Sequence, residues 1–132
     1  VNMLRAGINS SKLKSLGGEL KCFISDGDVA WKAKAAGITR SMMSMREAIK
    51  DEANQIFAIG NAPTALFELM RLIKEEEVKQ PKLIVGTPVG FVGAKESKVQ
   101  LEELAVPHIT LRGRKGGSAV AASIINALLY MD

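Results

Sequence analysis

The chain is short of the residues that most often announce a chemistry. It holds one cysteine, Cys22, and one histidine, His108. A lone cysteine closes no internal disulfide, and with one histidine it cannot assemble a Cys/His metal cluster, so no metal site is expected. Phe, Trp and Tyr make up only 5% of the residues. The core must therefore be Leu, Ile, Val, Ala and Met, and the flat rings that stack single-stranded bases are scarce. No apolar run is long enough to span a bilayer and no secretory leader is visible. Neither nucleic acid nor membrane is an expected partner, and a reducing, cytoplasmic setting is the simple inference.

What is present is the balance of a globular protein: 132 residues, 47% hydrophobic and 24% charged, with a net charge of +4. That length predicts one domain over residues 1–132. The modest positive charge suits an anionic small-molecule ligand. No internal repeat, low-complexity tract or linker divides the chain.

Four apolar runs read as buried strands: Leu20–Ile24, Gln55–Ile59, Lys82–Val85 and His108–Leu111. Cys22 reads as a small buried hydrophobe within the first. Helical spacing fills the intervals. Asp28 is positioned to cap a helix over Val29–Ala36, and Ser41–Asn54 repeats Met42, Met45, Ile49 and Ala53 every three or four residues. Thr64–Lys79 places Leu66, Leu69, Met70 and Ile73 on one stripe, and Lys95–Leu104 and Ser118–Tyr130 complete the set. The methionines read as core filler, Lys74–Glu77 as a solvated helix end, and Gln80-Pro81 as a helix stop. Strand and helix in alternation predict an α/β fold, a mostly parallel sheet covered by helices on both faces in three α/β/α layers. Ligands of such folds sit beyond the carboxyl ends of the strands.

The loops expected at that edge are Ser25–Asp28, Gly60–Thr64, Gly86–Ala94 and Arg112–Ser118. They contain eight of the twelve glycines: Gly27, Gly60, Gly86, Gly90, Gly93, Gly113, Gly116 and Gly117. Glycine lets the backbone approach a ligand, and a glycine loop entering a helix aims free N–H groups at an anion. In Arg112-Gly113-Arg114-Lys115-Gly116-Gly117-Ser118 three cations precede the glycines. This loop can hold a phosphate or carboxylate, with Ser118 either capping the helix or donating its hydroxyl. The Walker pattern is absent, and Gly90–Gly93 and Gly113–Gly116 each supply only half of the dinucleotide fingerprint.

Five blocks in order along the chain resemble the precorrin-8X methylmutase (precorrin isomerase) family. They are Met3–Ile8, Thr39-Arg40-Ser41, Gly60–Leu66, Gly86–Ala94 with Glu96-Ser97-Lys98, and Gly113–Ala121. The resemblance implies a three-layer α/β/α domain and an isomerase of cobalamin biosynthesis. Its reaction moves a methyl group between neighbouring ring-C carbons of a corrin precursor, converting precorrin-8X or cobalt-precorrin-8 to hydrogenobyrinate or cobyrinate. It implies a homodimer and no cofactor. A flat macrocycle carrying acetate and propionate groups needs an apolar floor and a rim of cations and N–H donors. On that reading Val89, Phe91 and Val92 are floor beside Gly90. Arg40, next to Thr39, and Arg112, Arg114 and Lys115 form the rim, and Gly116, Gly117 and Ser118 bring backbone to the ligand. Asn61 and Thr64 either donate to a carboxylate or close the turn and cap the next helix.

One departure stands out. The family is expected to use a histidine near its amino-terminal end, and His108 does not match that position, so the catalytic residue is unassigned. The chain, which opens on Val1-Asn2-Met3, is expected to be the carboxyl-terminal two-thirds of the family domain. Two alternatives remain at this level: a non-catalytic relative that binds a tetrapyrrole, and a phosphate- or nucleotide-binding domain.

Overall fold

The computed structural model describes residues 2–131. Three strands form a parallel sheet in the order β1 (Ile56–Ile59), β2 (Leu83–Gly86), β3 (His108–Thr110). Ile56 pairs with Leu83 and Ile59 with Gly86, while Ile84 pairs with His108 and Gly86 with Thr110. Helix α5 (Pro63–Glu75) connects β1 to β2, and α6 (Ala94–Glu102) connects β2 to β3. Parallel strands covered on both faces read as short apolar runs, which is why β1 and β2 were legible without alternation; β3 carries His108 and Thr110 and is only half-buried.

Successive side chains of a strand point to opposite faces. Phe57, Ile59 and Ile84 join Leu66, Leu69, Met70 and Ile73 of α5 and Leu101 of α6 in the main core. On the opposite face Val85, with Ala58 and Leu83, packs on Ala121 and Ala122 of α7 (Ser118–Leu129) and on Leu4 and Ile8. Two helix layers thus sandwich the sheet. Leu66, Leu69 and Ile84 are fully buried, each contributing about 1.5–3 kcal/mol through apolar burial. Helix α4 (Arg40–Lys50) packs along α5, and α3 (Gly27–Ala36) packs on α4 through Val29, Ala33 and Met43.

The fourth expected strand does not form. Leu20–Ile24 makes no ladder with the sheet. Leu20 packs into the α7-side core, Phe23 against the cores on the other side, and Lys21 reaches Asp51 at 2.8 Å. Apolar composition was satisfied by burial without strand pairing. Cys22 is half-buried, its Sγ 3.8 Å from Asn2 Oδ1, and not a core residue.

Several helix ends also differ from expectation. Helix α3 begins at Gly27, so Asp28 lies inside the first turn and Asp26 is the residue that precedes the helix. Helix α4 stops at Lys50 because Asp51 Oδ1 accepts from the Ala53 N–H at 3.0 Å and Asn54 Nδ2 donates to the Ala48 carbonyl at 2.8 Å. Such Asx turns compete with the helix for its backbone groups. Helix α5 ends at Glu75, before Gln80-Pro81, since three consecutive glutamates oppose the negative end of the helix dipole. Helices α1 (Asn2–Gly7) and α2 (Ser10–Ser15) had no anticipated counterpart. They are six residues each, too short to display a periodic stripe.

Candidate functional site

Because β1, β2 and β3 are parallel, the loops that leave them emerge on one edge. Residues 60–62, 87–93 and 111–117 are stitched together there. The Thr87 N–H donates to the Ile59 carbonyl at 2.8 Å, and the Val89 N–H to the Asn61 carbonyl at 3.4 Å. The Gly90 N–H donates to the Arg114 carbonyl at 3.1 Å, and the Gly117 N–H to the Thr87 carbonyl at 2.8 Å. Thr87, fully buried, returns its hydroxyl to the Gly117 carbonyl at 3.2 Å, and Thr110 donates to the Gly86 carbonyl at 2.6 Å.

Glycines make this closeness possible. A Cβ on Gly116 would stand 2.3 Å from the Thr87 oxygen, and one on Gly60 would stand 2.7 Å from Ser118 Cα. No rotamer can relieve either, because the obstacle is backbone.

Helices α5, α6 and α7 all start at this edge, and none is capped by a side chain. Their flanking residues Ala62, Gly93 and Gly117 carry no capping oxygen. By contrast Asn9 caps α2, and Thr39 Oγ1 caps α4 by accepting from the Met42 N–H at 3.1 Å. Uncapped helix starts present N–H donors and the positive end of the dipole. Asn61, Thr64 and Ser118 do not take the structural alternative open to them, since none of their side chains bonds to the protein among the described residues.

The cations divide. The Arg114 guanidinium lies over the Phe91 ring, 4.9 Å from its centroid. Arg112 is drawn aside, its Nε donating to Glu102 at 3.2 Å. Lys115 is exposed, with no side-chain partner among the described residues. Arg40 opens α4. Arg46 meets Glu68 at 3.1 Å near the middle of α4 and α5. Lys79, beyond the end of α5, donates to the Glu52 carbonyl, just beyond the end of α4, at 3.3 Å, so the start of α4 lies at the same end as Pro63. Thr39 Oγ1 accepts in the cap, and its own O–H is still available as a donor. Phe91 and Val92 are 84% and 89% exposed and form an open shelf beside Gly90. Two grooves lie elsewhere, one beside α1 and α2 and one along α3, α4 and α5; no residue of these loops lines either.

His108 begins β3, at the opposite end from the loops, and its Nδ1 lies 2.9 Å from the Val106 carbonyl. That contact fixes the ring locally.

Sequence reasoning named Lys98 only within a family block and gave it no role. It is 1% exposed, and its Nζ donates to the carbonyls of Gly113, at 2.8 Å, and Lys115. Burial pushes the ammonium below the ordinary lysine range. A signal existed: Ala94, Ser97, Lys98 and Leu101 occupy the buried stripe of α6, so a lysine stands where helical spacing demands a core residue.

These features define a class: a three-layer parallel α/β domain with N–H donors, cations and an exposed aromatic shelf beyond the carboxyl ends of its strands. Comparison with known proteins narrows it, for the Precorrin-8X methylmutase family model matches residues 1–131. The chain belongs to the precorrin-8X methylmutase family. It is 55% identical over 128 residues to the cobalt-precorrin-8 methylmutase of Priestia megaterium, covering 97% of this chain and 56% of that protein. It is 52% identical over 129 residues to that of Methanocaldococcus jannaschii, covering 98% and 58%. The solved precorrin-8x methyl mutase of Thermus thermophilus superposes with a TM-score of 0.87 at 34% identity, over 98% of this chain and 62% of that one. The chain thus spans little more than half the length of the two relatives matched by sequence.

Proposed function

We propose that this chain forms the corrin-receiving part of an isomerase of cobalamin biosynthesis. In the proposed reaction a methyl group migrates within one precorrin-8X or cobalt-precorrin-8 molecule, and no cosubstrate is consumed. The observation that carries the reading is the convergence of three uncapped helix starts with Arg114 and Lys115 around the open Phe91–Val92 shelf. A flat macrocycle needs an open face, and its peripheral carboxylates need donors spread around a rim.

In this reading Phe91 and Val92 contact the ring face. Arg40, Arg114 and Lys115 take peripheral carboxylates, with Asn61, Thr64 and Ser118 as neutral donors and the backbone of Gly116 and Gly117 alongside. Arg112 exchanges Glu102 for ligand or stays paired. The catalytic residue is unassigned, because the only histidine is turned away from this edge. Two copies acting together would place two such shelves in one particle, and sedimentation of the purified chain reports whether a homodimer forms.

The test is a titration of the purified chain with hydrogenobyrinic acid, followed by absorbance. Saturable binding that Arg114→Ala weakens supports the reading. Absence of binding by the chain overturns it as a corrin site in these loops. Binding without turnover of precorrin-8X favours a tetrapyrrole binder over a self-sufficient isomerase.

A further inference from the structure

The side chain of Lys98 raises a question that packing does not answer. It occupies a core position of α6, fully buried, with no carboxylate paired to it among the described residues. Burying an ammonium is costly, and an apolar side chain of similar volume would fill the same slot without that cost. What the ammonium gains is two main-chain acceptors, the carbonyls of Gly113 and Lys115, fifteen and seventeen positions further along the chain.

The peptide bonds here are all trans. In a trans peptide the carbonyl of one residue and the N–H of the next point in opposite directions. Carbonyls of Gly113 and Lys115 that turn inward to Lys98 therefore turn the N–H groups of Arg114 and Gly116 away from it. Among the described residues neither of those N–H groups meets a protein acceptor. Between them the Arg114 carbonyl is held from the neighbouring loop by the Gly90 N–H at 3.1 Å. Three consecutive carbonyls are thus clamped by groups outside the loop, and the left-handed Gly113, at φ +92°, supplies the bend.

We infer that Lys98 is a positioning residue: by holding the carbonyls of Gly113 and Lys115 it presents the Arg114 and Gly116 N–H groups, and the Arg114 side chain above Phe91, to a ligand carboxylate. The inference rests on the functional reading above, and it assigns recognition of one peripheral carboxylate to the 113–116 backbone.

The test compares the wild-type chain with Lys98→Met, which keeps the bulk and removes the donors. Hydrogen exchange is read at the Gly90 and Gly117 amides, whose hydrogen bonds tie the loop down, and at Ile84 and Val85 in the sheet. The expected result is exchange at Gly90 faster by about tenfold or more with the sheet amides unchanged, and a Kd for hydrogenobyrinic acid raised by about tenfold. The loss should be larger for the acid than for its methyl ester, whereas a purely structural role would lower both alike.

Gly113→Ala is the second variant. Its methyl meets open space, so the core is untouched, but its positive φ strains alanine and moves one carbonyl off Lys98. It should reproduce the same selective loss. Unchanged Gly90 exchange in Lys98→Met, or in Gly113→Ala should Lys98→Met not fold, overturns the inference. If the wild-type chain binds no corrin, the functional reading fails, while the exchange comparison still decides whether Lys98 sets the loop.

Discussion

The guanidinium of Arg114 rests 4.9 Å from the centroid of the Phe91 ring, and the two come from different loops. One leaves β2 and the other leaves β3, so the contact exists only because the parallel sheet sets those strands side by side. At an exposed site it is worth about 0.5–1 kcal/mol. That is too little to hold the fold, yet enough to bias where the cation stands.

Replacing Arg114 by Ala should therefore leave the thermal midpoint nearly unchanged. It should weaken hydrogenobyrinic acid binding by about 1–3 kcal/mol, the scale of a charge-assisted hydrogen bond. Phe91→Ala should also spare stability while weakening binding. Calorimetric melts beside absorbance titrations separate the two effects, and unchanged affinity in both variants would remove the pair from the site.

Arg40 and Arg112 should behave unequally. Arg40 has no side-chain partner among the described residues, while Arg112 is paired with Glu102. Arg40→Ala should cost about 1–3 kcal/mol of binding. Arg112→Ala should cost less, because the ligand must compete with that carboxylate. Equal losses in parallel titrations would show that Glu102 releases Arg112 when ligand arrives.

The two adjacent glycines should also separate. A methyl on Gly116 has nowhere to go against the Thr87 carbonyl, so Gly116→Ala should destabilise by about 1–3 kcal/mol through overpacking. Gly117 has open space around a Cβ but a φ of +117°, so Gly117→Ala should cost about 1 kcal/mol of backbone strain. Denaturant melts decide the order.

Acid should act through Glu68. This carboxyl is 3% exposed and accepts from Arg46 at 3.1 Å and from Arg71 at 3.0 Å. Burial pushes it up, but the bonds from Arg71 and Arg46 outweigh burial and hold it below the ordinary glutamate range. A carboxyl lowered by folding stabilises the fold above its unfolded pKa, about 4.3. That stabilisation is lost as pH falls through the lower folded value. Glu68→Gln should be less stable than wild type at pH 7 by about 1–3 kcal/mol, with the gap closing below about pH 4. Melts of both proteins from pH 7 to pH 3 measure it, and a constant gap would argue against the charge.

Much of the fold was legible in local composition. Apolar runs followed by turn-forming residues marked β1, β2 and β3, and the three-four spacing of Leu66, Leu69, Met70 and Ile73 marked α5. Leu20–Ile24 failed as a strand because composition reports burial, while pairing requires a neighbour with free backbone groups. Helices α1 and α2 were missed because six residues are too few to show a period. In the site, the glycine loops and their cations were readable because they are contiguous.

By itself, then, the sequence determined which segments are buried, where the chain must turn, and which family's blocks it carries in order. Those properties depend on side chains within a few residues of one another. Only the tertiary structure decided that Arg114 meets Phe91 and that Arg112 is diverted to Glu102. It alone decided that Lys98 reaches past the sheet edge to the carbonyls of Gly113 and Lys115. Those pairings join residues from separate loops and helices, and backbone carbonyls carry no identity in a sequence. Their directions are set by dihedral angles that exist only once the strands have been laid side by side.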